Sequence, residues 1–181
     1  KLSHNKSLRS LKGCLTHLYN LHTLDIEHTD IRFIPSSIKQ CVSLKHLNAT
    51  HSSVRSISNV FDSTPNLRTF KFGNSALQAC PESLSDCSRL RSLDVEFTSV
   101  SALPTDMSGL TQLKKLELTG SSISSLPESL SRCSSLQQFN AVGCRISNLP
   151  VNFGQCSQMT EMDLSNTGLS YLPDSIGMMT K

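Results

Sequence analysis

The sequence predicts an α/β solenoid, a stack of similar turns with parallel strands on one face and short helical segments on the other. Two observations carry this prediction. Fixed places in a 23-residue frame hold apolar residues, and another fixed place holds proline. A constant period of roughly 20 to 50 residues is typical of stacked repeats, which bury a shared core only when they stack. Each repeat begins with a leucine or methionine, at Leu21, Leu44, Leu67, Leu90, Leu113, Leu136 and Met159.

The first part of each repeat is predicted to be a strand. We count positions from the first residue of a repeat as position 0, so that Leu113, Leu116 and Leu118 occupy positions 0, 3 and 5 of the fifth repeat. These residues fit one short strand that turns its apolar side inward, because successive side chains of a strand alternate between faces. Position 3 is apolar in every repeat, with Leu24, Leu47, Phe70, Leu93, Leu116, Phe139 and Met162.

The second part of each repeat is predicted to turn and return as a short helix. Proline fixes φ and lacks an N–H group, so it ends the strand and can start a turn or helix. An apolar pair three residues apart follows, such as Leu130 and Cys133, and this spacing suits one turn of α- or 3₁₀-helix. Six of the seven repeats carry the proline at position 14, as Pro35, Pro81, Pro104, Pro127, Pro150 and Pro173.

The repeats resemble those of the leucine-rich repeat superfamily with the 23-residue LPxxI/LxxLxxLxxL frame. Threonine or cysteine at position 8, followed by LP, is similar to repeats of plant intracellular immune receptors, as in LDVEFTSVSALP and MDLSNTGLSYLPDSIG. The 23-residue frame also resembles that of animal Ras and polarity scaffolds, although those proteins keep asparagine at position 8. The resemblance implies an α/β leucine-rich repeat solenoid with a concave face of parallel strands and short helical or 3₁₀ turns on the convex side. It also implies that position 8 bonds backbone groups of adjacent turns, a task that hydroxyls partly share.

The repeats predict one elongated domain over residues 1–181, made of a partial repeat at 1–20 and seven full repeats at 21–181. Neither end shows the polar cap that a solenoid needs. We therefore expect the chain to be a piece of a longer array.

The seven cysteines are predicted to be reduced and structural, which favours a cytoplasmic protein. Cys41, Cys87, Cys133 and Cys156 all stand at position 20, facing the predicted core. Buried free cysteine behaves as a small apolar residue, and no CxxC motif is present. Two alternatives remain. Cysteines of adjacent turns could form a disulfide, or the chain could be a secreted receptor ectodomain with glycans on the Asn-x-Ser/Thr triplets at Asn5 and Asn48.

The outward strand residues are predicted to bind a protein or peptide partner on the concave face. Position 4 forms a discontinuous acidic strip and position 1 a basic column. Phe97 lies at position 7 between Asn74 and Gly120, and an exposed aromatic residue ringed by charge is typical of an interaction hot spot. The alternatives are that the stripes only solvate the surface and that Phe97 packs on its own rim. The predicted contact residues are Phe97, Arg68, Arg91, Asp94, Glu96, Glu117 and Val142.

No catalytic residue, metal site or cofactor is predicted. His28 and His51 share a position on adjacent turns, but no third ligand shares it, so mild pH sensitivity is the preferred interpretation. Glu96 and Glu117 lie on an open face where water screens them, and we expect ordinary pKa values. A net charge of +3 without a basic block argues against nucleic-acid or membrane binding.

The predicted function is thus a non-catalytic interaction module that serves as a scaffold or signalling adaptor. The alternative is the recognition arm of a larger enzyme or receptor, such as a ubiquitin ligase, a kinase or a nucleotide-switched immune receptor, with its chemistry outside this chain.

Overall fold

The computed structural model describes residues 1–179 and is built around a seven-stranded parallel sheet, with one strand from each 23-residue repeat. Adjacent strands pair in register, so that Leu24 lies opposite Leu47 and Leu93 opposite Leu116. The predicted α/β solenoid is confirmed. The strands of this sheet are β1 (Thr23–Asp25), β3 (His46–Asn48), β5 (Thr69–Lys71), β6 (Ser92–Asp94), β7 (Lys115–Glu117), β8 (Gln138–Asn140) and β9 (Glu161–Asp163).

The strands are shorter than the leucine pattern predicts. Leu113 does not belong to β7, because its N–H donates to the carbonyl of Leu110 at 3.0 Å and so closes the preceding turn. A second, two-stranded parallel sheet joins β2 (Phe33–Ile34) to β4 (Ser56–Ile57) further along the first two full repeats.

The helical returns are 3₁₀ segments. Their N–H groups bond three residues back, as Cys133 does to Leu130 at 3.0 Å. Proline directly precedes four of the segments in extended conformation, as predicted from its fixed φ. The segments are Ser36–Gln40, Phe61–Ser63, Glu82–Asp86, Glu128–Arg132, Phe153–Gln155 and Asp174–Met178.

One continuous core lies between the sheet and the 3₁₀ segments. It contains most of the apolar residues of positions 0, 3, 5, 10, 13, 17 and 20, and most of these are fully buried. Burying one such leucine contributes about 1.5–3 kcal/mol. Each turn covers its neighbours, so the outward residues are held on a repeating frame.

The cysteines of position 20 lie in this core and bond the previous turn. The Cys133 thiol donates to the carbonyl of Met107 at 3.6 Å, and the Cys156 thiol donates to that of Leu130 at the same distance. Burial raises the pKa of Cys133 to about 12. All seven cysteines are free thiols, and only Cys14 is exposed.

The hydroxyls of position 8 bond mostly within their own repeat. The Thr98 hydroxyl donates to the carbonyl of Val95 at 2.6 Å, three residues back in the chain. The expectation of bonds between adjacent turns holds for Cys144, whose thiol donates to the Leu118 carbonyl at 3.1 Å.

The partial repeat at the N-terminus contains one residue more than the frame predicts. The His4 N–H donates to the carbonyl of Glu27 just as the His28 N–H donates to that of Thr50, although His4 and His28 are 24 residues apart. Leu11 is buried in the core, 23 residues before Ile34, so the extra residue lies between His4 and Leu11.

Candidate protein-binding surface

The candidate site lies on the outer side of the seven-stranded sheet, which we call the strand face. In β6, for example, Leu93 is buried while Ser92 and Asp94 on either side of it are partly exposed. The alternation that places leucine in the core therefore places polar side chains outward from every turn.

A column of residues in the left-handed conformation borders the strand face where the strands end. We call it the turn column; each member occupies position 7, and from His28 to Gly143 each N–H donates to the position 6 carbonyl of the next turn, as Asn74 does to Glu96 at 2.8 Å. Glycine and asparagine adopt positive φ most readily. The turn column of the full repeats consists of His28, His51, Asn74, Phe97, Gly120, Gly143 and Asn166.

Phe97 is the unusual member of the turn column. Its φ is 49°, and 56% of the residue is exposed. The ring lies against Gly120 of the next turn, where a β-carbon would approach its Cδ1 to 2.5 Å. A bulky residue with positive φ is strained, and such strain is often found at functional sites.

Three carboxylates lie together on the strand face before Phe97. Glu117 is only 9% exposed; it accepts a hydrogen bond from the Thr119 hydroxyl at 2.7 Å and lies 3.6 Å from the Lys115 ammonium. Burial raises the pKa of Asp94, with the Glu117 charge adding to the effect, and burial together with the Asp94 charge raises the pKa of Glu96. The expectation of an ordinary pKa for Glu96 was therefore wrong.

Glu96 is held in place by the preceding turn. Its carboxylate accepts a hydrogen bond from the Asn74 amide at 3.2 Å, and a β-carbon on Gly73 would lie 2.7 Å from its Cγ. Glycine at position 73 thus gives Glu96 room to lie across the neighbouring turn, which removes part of the carboxylate from water.

The structure separates the two predicted arginines from Phe97. Arg91 precedes β6 and Phe97 follows it, so the strand lies between them. Arg68 lies at the same edge as Arg91 and contributes to the lowered pKa of His46, after the larger effect of burial. Asp94, Glu96 and Glu117 form one group with Phe97, whereas the arginines line the opposite edge of the strand face.

Val142 lies one turn beyond Gly120. It is half-buried, and its carbonyl accepts the Gly120 N–H at 2.8 Å. Val142 therefore supports the turn on which the Phe97 ring rests.

Three stacked histidines occupy the N-terminal end of the turn column. The rings of His28 and His51 lie 4.7 Å apart and nearly parallel, and His4 stacks on His28 at 4.8 Å. The 23-residue frame missed His4 because of the extra residue in the partial repeat. Among residues 1–179, no group of three or more His, Cys, Asp or Glu side chains could hold a metal ion. No helix within the same residues is long and apolar enough to span a membrane.

Comparison with known proteins agrees with the repeat and the fold. The leucine-rich repeat family matches residues 88–146. No curated protein shows significant similarity to the chain. The 23-residue repeat, the parallel strands and the match over residues 88–146 together show a leucine-rich repeat solenoid.

Three solved structures illustrate the similarity. A leucine-rich repeat protein of Leptospira interrogans is 28% identical over 99% of this chain and 45% of its own, with a TM-score of 0.89. An internalin from Listeria monocytogenes is 19% identical over 97% of this chain and 50% of its own, with a TM-score of 0.81. The Arabidopsis receptor kinase HAESA, in complex with a peptide hormone and a co-receptor, is 26% identical over 90% of this chain and 29% of its own, with a TM-score of 0.79. This chain spans half or less of each of these proteins.

Proposed function

We propose that this chain is a non-catalytic interaction module that binds a protein or peptide partner on the strand face, centred on Phe97. The exposed Phe97 ring carries the proposal, because its strained φ and its exposure both cost free energy in the isolated protein. A partner that covers the ring would recover the apolar part of that cost.

The carboxylates beside Phe97 support the same location. Asp94, Glu96 and Glu117 are crowded and partly withdrawn from water. A partner with an apolar side chain for Phe97 and a basic group for these carboxylates would match both features, and charge complementarity mainly sets specificity and association rate.

The similar receptor kinase supports a peptide or protein as the class of partner, since its structure contains a peptide hormone and a co-receptor. In this proposal the module acts as a scaffold or signalling adaptor. A second candidate function is that of the recognition arm of a larger enzyme or receptor. It is favoured because this chain is similar to only 29% of the receptor kinase, so that such a protein has room for other domains. A catalytic or nucleotide-binding domain in the full-length sequence would select the second candidate.

The binding proposal is tested with a partner recovered by the intact chain and then purified. Its affinity is measured by calorimetry for wild type, Phe97→Ala and the matched control Tyr171→Ala, whose side chain is also exposed but lies away from the strand face. We expect at least a tenfold loss for Phe97→Ala and less than a twofold change for the control. Equal affinities of all three proteins would move the site elsewhere.

Charge reversal at the opposite edge measures the extent of the contact. Arg68→Glu combined with Arg91→Glu weakens binding if the partner spans the strand face and leaves affinity unchanged if the partner is confined to the Phe97 edge.

We also propose a cytoplasmic location. Six cysteines are buried as free thiols, and no disulfide joins adjacent turns in the described part of the chain. Alkylation during lysis, followed by mass spectrometry of the denatured protein, should show all seven cysteines reduced. A disulfide or a glycan at Asn48 would contradict the location.

A further inference from the structure

Three arginines form a column on the side of the stack, away from the strand face. Arg32 and Arg55 occupy position 11 of the first two full repeats, beside the small sheet of β2 and β4, and Arg9 stands 23 residues before Arg32 in the partial repeat. The Arg55 N–H donates to the Arg32 carbonyl at 2.8 Å, which fixes these two turns in register. Parallel neighbours lie about 4.8 Å apart, so three successive turns span about 10 Å.

None of the three guanidinium groups is paired with an acidic side chain in the described part of the chain. All three residues are exposed, and within residues 1–179 none of their side chains makes a hydrogen bond or an ion pair. Asp30 is only two residues before Arg32, yet it forms no ion pair with it. Arginines at other places do find partners, since the Arg89 guanidinium donates to the Asn66 side chain at 2.8 Å.

The distribution of charge along the chain gives the same end of the stack a positive field. Residues 1–60 contain eight Lys or Arg against three Asp or Glu, whereas residues 61–181 contain nine against eleven. The overall net charge of +3 therefore hides a basic N-terminal third and a slightly acidic remainder. The arginine column ends where this asymmetry ends, because the next turn carries Gln78 and the later ones carry serine at the same position.

An exposed aromatic residue lies beside the column. Phe33 follows Arg32 and pairs in register with Ser56, which follows Arg55, and 51% of Phe33 is exposed. A partner held by the arginines would therefore meet an apolar surface as well as charge.

We propose that Arg9, Arg32, Arg55 and Phe33 form a second interaction surface that binds an extended acidic segment of a partner protein. Arginine presents a planar fork of donors that matches carboxylate or phosphate oxygens in pairs. An extended chain rises about 3.3 Å per residue, so two acidic side chains on alternate residues, about 6.6 Å apart, fit along the column. The surface is distinct from the strand face and does not depend on Phe97.

The test measures the binding of two fluorescently labelled peptides to the full chain. One peptide is hexaglutamate, and the other is a hexapeptide with phosphoserine at alternate residues. Fluorescence anisotropy is measured for wild type, for a column variant with Arg9→Gln, Arg32→Gln and Arg55→Gln, and for a control with Arg89→Gln, Arg132→Gln and Arg145→Gln. Both variants lose three positive charges, but the control arginines are scattered over other turns.

We expect the column variant to lose at least tenfold in affinity for one or both peptides, while the control and Phe97→Ala stay within twofold of wild type. The peptide with the higher affinity identifies carboxylate or phosphate as the recognised group. Affinity should also fall as salt is raised, because the contacts are exposed charges. No binding to wild type, or equal losses in the column variant and the control, would overturn the proposal. Tighter binding of a single-stranded 12-nucleotide DNA than of either peptide would overturn the assignment to a protein segment.

Discussion

Replacing Phe97 by asparagine should remove partner binding and leave the fold almost unchanged. Phe97 has a φ of 49°, a conformation that costs most residues about 1–2 kcal/mol but that asparagine adopts more readily. Asn74 shows that the turn column accepts asparagine, since its φ is 57°. The substitution therefore relieves strain while it removes the ring.

The lost packing offsets this gain. Because 56% of Phe97 is exposed, the remaining 44% (100 minus 56) is covered, mainly against Gly120. A phenylalanine has on the order of 200 Å² to bury, so the covered part is about 90 Å². At about 25 cal/mol per Å² this contributes at most about 2 kcal/mol. The two effects nearly cancel, and the free energy of unfolding should change by less than about 1 kcal/mol.

Urea denaturation and thermal denaturation, both followed by circular dichroism, check the stability of Phe97→Asn, and calorimetry with the purified partner checks its affinity. We expect a Tm within about 4 °C of wild type and at least a tenfold loss of affinity, equivalent to about 1.4 kcal/mol. A loss of more than about 3 kcal/mol in the free energy of unfolding would show that the ring is structural. Retained affinity in a folded variant would refute its role in binding.

Three further predictions test the core, the carboxylates and the packing between turns. In the native protein at pH 8, only Cys14 should react quickly with a thiol reagent; the other six thiols should react after unfolding in urea, because burial raises the pKa of four of them to about 11 or 12. A second fast thiol in the native protein would contradict this. The raised pKa values of Asp94 and Glu96 mean that the folded protein holds these protons more tightly than the unfolded chain. Their stabilising contribution is complete below the ordinary pKa values and is lost as the pH rises through the folded-state values. The double variant Asp94→Asn with Glu96→Gln should therefore be more stable than wild type at pH 7, and the difference should be smaller at pH 4. Urea denaturation at both pH values measures the two differences. Equal differences would contradict the argument from the raised pKa values. Finally, Gly154→Ala should reduce the free energy of unfolding by about 2 kcal/mol or more, because the β-carbon would overlap a backbone carbonyl of the next turn, whereas the control Gly177→Ala has open space there. Equal stability of these two variants would contradict the packing argument.

The candidate site was only partly predictable from the sequence. Phe97 stood out because a large apolar residue at an outward position needs an explanation, and Gly120 indicated the space beside it. The sequence pattern also grouped Arg68 and Arg91 with Phe97, because all three stand at outward positions of two adjacent repeats. The structure separates the arginines from Phe97, because β6 ends at Asp94 and the chain turns at Phe97, at the opposite end of the strand from Arg91.

His4 and the arginine column were not predicted from the sequence, for two different reasons. One extra residue shifted His4 out of the 23-residue frame, although its ring stacks on His28. Arg9, Arg32 and Arg55 did share the frame, but their position lies outside the main sheet. The small sheet of β2 and β4, which fixes two of them side by side, has only two residues per strand and leaves no periodic signal of its own.

The sequence by itself determined the number of residues per turn, the inward side of each strand and the burial of the cysteines at position 20. These features follow from the spacing of apolar residues, which must face one core in every repeat. The tertiary structure alone decided the left-handed turn column, the placement of Phe97 against Gly120 and the crowding of Asp94, Glu96 and Glu117. These features depend on how one turn lies against the next, so the same residues at the same spacing acquire their exposure and pKa values only when the turns are stacked.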